Sequence, residues 1–100
     1  MPSQTRHVCL FRLKQRLSTV NRAELERFAG EIKLSLPGIV DYRFVLNQSA
    51  KSVGYDLVLD SQFASLEDLR AYVRAPIHGA LARFMETFVL ETIVADFEAS

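Results

Sequence analysis

The chain is 100 residues long, with 49% hydrophobic and 24% charged side chains and a formal net charge of zero. That length holds one domain and one core, and the composition is that of a globular rather than a disordered chain. Zero net charge removes the long-range attraction to phosphate backbones or anionic lipid that a basic domain would have, so no nucleic-acid or membrane partner is expected.

The amino-terminal stretch MPSQTRHVCLFRL has too short an apolar run for a signal peptide, and no segment reaches the length of a membrane span. A cytoplasmic protein is the expectation. Cys9 is the single cysteine, which excludes an internal disulfide and a cysteine-rich metal site. Between Val8 and Leu10 it reads as a packed, inert thiol.

The first strand is HVCLFRL, His7 to Leu13. A helix follows, with Leu25, Phe28, Ala29, Ile32 and Leu36 on one stripe. Asn21 with Glu24 three residues later reads as its cap, and Pro37-Gly38 as its end. IVDYRFVLN, Ile39 to Asn47, is the second strand, and YDLVLDSQF, Tyr55 to Phe63, the third, paired as a hairpin across QSAKSVG.

Ser65 and Asp68 mark the next helix start. Leu66, Leu69, Tyr72 and Val73 share its apolar face, over Leu66 to Arg74. Pro76 forces a break, because proline lacks the helical donor and pushes Ala75 away from helical angles. Helix resumes with Ile77, Leu81, Phe84, Met85 and Phe88 and ends near Phe88. LETIVADF, Leu90 to Phe97, is the fourth strand.

The order β-α-β-β-α-β predicts an α+β, ferredoxin-like fold: one four-stranded antiparallel sheet with helices on one face. Alternate residues of the strands are apolar on both faces, and helices cover only one. A second sheet is the simplest cover for the other. A homodimer packed face to face is therefore expected, with Val8, Leu10, Val58, Ile93 and Phe97 near the seam. Asp41, Arg43, Asp56 and Asp60 fall on that face and read as a polar network.

HVCLFRLK resembles the opening strand of the stress-responsive α/β-barrel (Dabb) family. LPGIVDYRF resembles its helix-to-strand junction, GYDLVLDSQFASLEDLRAYVRAPIH its third strand and second helix, and VADFE its closing strand. The resemblance runs through nearly the whole chain in order. It implies a ferredoxin-like protomer whose sheets pair into a dimeric α+β barrel.

The chain is also distantly similar to the olivetolic acid cyclase-type polyketide cyclases of plants, which work by acid–base chemistry without a cofactor. Their catalytic tyrosine and histidine match Tyr72 and His78, and a further pocket histidine matches His7. Many members read His-Pro-x-His before the last helix; Ala75 stands where the first of those histidines would be, and no metal is expected.

A lone histidine or tyrosine at an apolar rim is more often a satisfied structural group than a catalyst. Three polar groups expected to converge on one pocket change that balance. His78, Tyr72 and His7 are the candidate catalytic residues, and Phe11, Leu59, Phe63, Leu81 and Phe84 the candidate apolar wall. Two classes remain open. One is a cofactor-independent cyclase or isomerase acting on a small apolar carbonyl compound. The other is a non-catalytic, stress-associated ligand-binding or structural dimer. No phosphate loop, serine nucleophile motif or clustered metal-ligand spacing stands beside them.

Overall fold

The computed structural model describes residues 3–99. Its elements are β1 (Gln4–Leu13), α1 (Thr19–Ser35), β2 (Ile39–Leu46), β3 (Leu57–Phe63), α2 (Leu66–Arg74), α3 (Pro76–Met85) and β4 (Val89–Ala99). The strands form one sheet in the order β2-β3-β1-β4, and every neighbouring pair is antiparallel. This is the ferredoxin-like α+β arrangement that the alternating and helical periodicities predict.

Strand alternation sets the two faces. Cys9, Phe11, Tyr42, Leu57, Leu59 and Phe63 point to the helices and pack on Leu25, Phe28, Ala29, Ile32, Leu69, Leu81 and Met85. Burying one large apolar side chain of this set contributes about 1.5–3 kcal/mol. The helices lie over β1, β2 and β3, with α1 mainly on β2 and α2 on β1 and β3. Strand β4 stands at the edge of this roof, and from Leu90 to Glu98 it is exposed.

The opposite face carries Val8, Leu10, Val58, Ile93 and Phe97, aligned by the ladder pairs Val8↔Ala95, Leu10↔Ile93 and Leu10↔Val58. Ile93 and Phe97 remain half exposed in the protomer. Amid this apolar field Asp60 accepts from Arg6 at 2.6 Å and from Arg43 at 3.1 Å. Asp41 instead accepts from its neighbour, the Tyr42 N–H, and Asp56 from Ser52 in the loop before β3.

Several boundaries differ from the sequence-based expectation. Helix α1 begins one turn earlier than Asn21: Ser18 is the cap, its hydroxyl accepting the Asn21 N–H at 3.0 Å. Strand β1 starts at Gln4 because β4 extends to Ala99 and pairs with it. β3 starts at Leu57, since the Tyr55 N–H is held in a turn by the Ser52 carbonyl. Leu66 and Val73 are exposed, leaving Leu69 and Tyr72 as the buried face of α2.

Helix α3 ends at Met85, and Phe88 packs from the following turn. The expected cap of α2 holds: Ser65 Oγ accepts the Asp68 N–H at 3.1 Å and donates to Asp68 Oδ2 at 2.9 Å. That carboxylate also packs closely against the α1–β2 turn. Gly38 has φ +82°, and a Cβ there would sit 2.3 Å from the Asp68 side chain. Among the described residues no helix is long and apolar enough to cross a membrane.

Candidate functional site

The break at Pro76 builds the site. Ala75 has φ −71° and ψ 142°; it ends α2, donating its N–H to the Tyr72 carbonyl, and begins α3. The His78 N–H donates to the Ala75 carbonyl at 3.0 Å. Tyr72, in the last turn of α2, and His78, in the first turn of α3, are thereby folded onto each other. Their rings meet edge to face at 4.8 Å between centroids.

Beneath them lies a cavity of about 550 Å³, within the roughly 300–1,000 Å³ usual for small-molecule sites. It occupies the gap between α2–α3 and the uncovered half of the sheet. One wall is β1 with His7, Cys9 and Phe11; another is β4 with Thr92, Val94 and Asp96. These are ladder partners, His7↔Asp96, Cys9↔Val94 and Phe11↔Thr92. Phe44 and Leu59 close the inner end, and Leu81 and Met85 descend from α3.

His7, Tyr72, His78, Phe11, Leu59 and Leu81 all line this space. Phe63 and Phe84 do not. Phe63 is fully buried behind Tyr72, with ring centroids 5.2 Å apart. Phe84 points to the other side of α3 and stacks on Phe28 of α1 at 5.8 Å.

The two histidines are held differently. His7 Nδ1 lies 2.5 Å from Asp96 Oδ1, and its Nε2 lies 3.3 Å from Cys9 Sγ. A carboxylate accepts, so Nδ1 carries the proton, and in the neutral ring Nε2 accepts from the thiol. Burial first, and the nearby Asp96 charge second, push the Cys9 thiol up to about 12. It therefore stays a protonated donor at neutral pH, the packed thiol that its strand context suggests.

Both nitrogens of His7 are thus occupied. The His78 ring has no hydrogen-bond partner among the described residues. Its pKa is lowered below the ordinary 6.5, first by burial and then by His7. A half-buried, neutral imidazole with unoccupied nitrogens can take a proton near neutral pH.

Tyr72 is almost fully buried and its hydroxyl is 2.7 Å from that of Tyr42 on β2. Burial raises the pKa of both phenols, so both are hydrogen-bond groups and not bases. Glu86, Glu91 and Asp96 border the cavity, and no lysine or arginine lines it among the described residues. No group of three or more His, Cys, Asp or Glu is placed to hold a metal ion among them either.

Tyr42 and Asp96 are site residues that the motifs do not single out. The only signal for Asp96 is its alternation with Thr92 and Val94. For Tyr42 it is its place among the inward residues of β2.

The family model described as Stress responsive A/B Barrel Domain (Dabb) matches residues 5–99. No curated protein matches the chain in sequence. Several solved structures share its fold. A hydroxynitrile lyase from Passiflora edulis superposes with a TM-score of 0.83 at 16% identity, over 100% of this chain and 96% of its own. A dimeric ferredoxin-like protein of unknown function from Thermobifida fusca gives 0.81 at 17% identity, over 99% and 93%. A Dabb family protein from Mesorhizobium loti gives 0.79 at 20%, over 98% of each chain. At these identities the likeness is one of fold.

Proposed function

The chain belongs to the family of stress-responsive A/B barrel domains, and on that premise we propose that it is a homodimer whose protomers each bind a small, mostly apolar carbonyl compound. The proposed activity is cofactor-independent proton transfer of the cyclase or isomerase type. His78 takes a proton from the carbon beside the carbonyl and becomes an imidazolium. Tyr72 donates a hydrogen bond to the enolate oxygen that forms. The imidazolium then returns the proton to the product, so the enzyme ends as it began.

One observation carries this reading: His78 borders the cavity against Tyr72 with neither ring nitrogen engaged, and its surroundings favour the neutral form. His7 has no nitrogen to spare and supports the site from β1. The lining supports a neutral ligand, since acidic groups border the cavity and, among the described residues, no fixed cation lines it to hold a carboxylate or phosphate.

The dimer is supported by the apolar rows on the outer face, which a partner sheet would cover, and by the dimeric state of the Thermobifida fusca relative in fold. At about 25 cal/mol per Å² of apolar surface, leaving that face in water is unfavourable.

The test is turnover of a panel of small neutral carbonyl compounds, with a hydroxynitrile tried beside them, by the native protein and by His78→Ala. Turnover that disappears in the variant while its ligand binding and folding persist supports the enzyme. Binding without His78-dependent turnover would sink it and leave a ligand-binding dimer.

A further inference from the structure

Tyr42 is fully buried, and its hydroxyl has one partner among the described residues, the hydroxyl of Tyr72. A phenol has one proton to give and can also accept. If Tyr72 gave its proton to Tyr42, the Tyr42 proton would face no acceptor where water does not reach. Buried donors are rarely left so. The reverse arrangement satisfies both groups: Tyr42 donates, Tyr72 accepts, and the Tyr72 proton is left for the cavity. Apolar rings flank the pair, with Phe44 5.8 Å from Tyr42 and Phe63 5.2 Å from Tyr72. They leave each phenol little room to swing away.

We infer that Tyr42 is a positioning residue that donates to Tyr72, aims the Tyr72 proton at the ligand and strengthens it as a donor to an enolate or phenolate oxygen. The inference rests on the reading of Tyr72 as the ligand's hydrogen-bond donor. Chained hydrogen bonds polarise one another, so charge developing on the ligand oxygen is shared along both phenols. Tyr42 never touches the ligand.

Two measurements test it. The first uses a series of para-substituted acetophenones, neutral carbonyl compounds of graded oxygen basicity, with affinity followed against that basicity. In the native protein affinity rises with basicity. Tyr42→Phe should flatten that slope and weaken the most basic ketone by roughly tenfold. A purely structural Tyr42 would lower all affinities by the same factor, and an unchanged slope overturns the inference.

Tyr72→Phe separates the two claims. If it leaves the slope intact, the reading of Tyr72 falls and the inference with it. If it flattens the slope while Tyr42→Phe does not, only the role of Tyr42 falls. The second measurement needs no ligand: a deuterium isotope shift on tyrosine Cζ carbons in the native protein. The slowly exchanging hydroxyl proton should belong to Tyr42. A slow proton on Tyr72 with a fast one on Tyr42 overturns the inference whether or not any ketone binds.

Discussion

On the helix-facing side of the sheet, Tyr42, Leu57, Ser61 and Phe63 of β2 and β3 are sealed from water, while Thr92, Val94 and Asp96 of β4 stand open on the same face. Strand chemistry alone does not divide the two regions, since apolar Val94 is open and polar Ser61 is sealed. They differ in roofing. Helices α1 and α2 lie over β2, β3 and β1, and the turn at Ala75–Pro76 sends α3 along the border. The polar groups collect on that border: His7 and Tyr72 have their backs to the closed half and share the cavity with His78. A cavity of this kind arises where helical cover stops, and the polar side chains fall on the dividing line.

The contrast predicts unequal responses to substitution. Phe63→Ala, in the sealed half, should lose about 3–5 kcal/mol of stability, read by urea unfolding at fixed protein concentration. A loss under about 1 kcal/mol would mean that this half is not closed.

On the border, His78→Ala should cut turnover by roughly 10²–10⁴-fold with an unfolding midpoint close to native, as expected for a general base that packs little. Tyr72→Phe should slow the reaction less and leave the cavity filled. An unfolding midpoint that collapses with His78→Ala would make that ring a structural group.

The outer face offers a third case, open in the protomer and proposed to close in the dimer. Leu10→Glu would place a charge in the seam, and sedimentation should then show monomers, with dimer affinity weakened by about a hundredfold or more. A dimer that survives this change packs elsewhere.

A smaller effect follows from pH. Because the His78 pKa is lowered, the ring protonates more readily in the unfolded chain. Its contribution to stability is complete above the unfolded value near 6.5 and is lost as pH falls through the folded value. Turnover should fall over the same acid range, by roughly tenfold per pH unit once His78 is protonated. A pH–rate profile with no acid limb anywhere below the ordinary imidazole value, down to the pH at which the protein unfolds, would exclude His78 as the base. Smallest of all, Val94→Ala on the open half should change stability by no more than about 0.5 kcal/mol, read by the same urea experiment.

Much of this was legible in the chain. Alternation at His7, Cys9 and Phe11 against Val8 and Leu10 assigns both faces of β1, and Pro76 marks the break that folds Tyr72 onto His78. What escaped depends on tertiary direction. Phe84 shares a helical stripe with Leu81, yet α3 presents that stripe to α1 on one side and to the cavity on the other. Phe63 shares the alternation of Leu59, but α2 lays Tyr72 over it. Tyr42 looks like any inward strand tyrosine until the Tyr72 hydroxyl is placed above it. The α1 cap slipped by a turn because Asn21 is a good cap residue and Ser18, just upstream, is another.

The central place of β1 has a kinetic cost. Its partners are β3 and β4, and the His7–Asp96 bond joins groups 89 residues apart in the chain. Closing so large a loop is entropically expensive, and chains rich in distant pairings fold slowly. During synthesis α1, the β2–β3 hairpin and the pairing of β1 with β3 can organise early, while the β1–β4 ladder waits for the final strand. The wall that holds His7 in place is therefore a late product of folding. Pulse-labelled hydrogen exchange should find β1–β4 amides protected after those of β2–β3; simultaneous protection would show the ladder closing in one step.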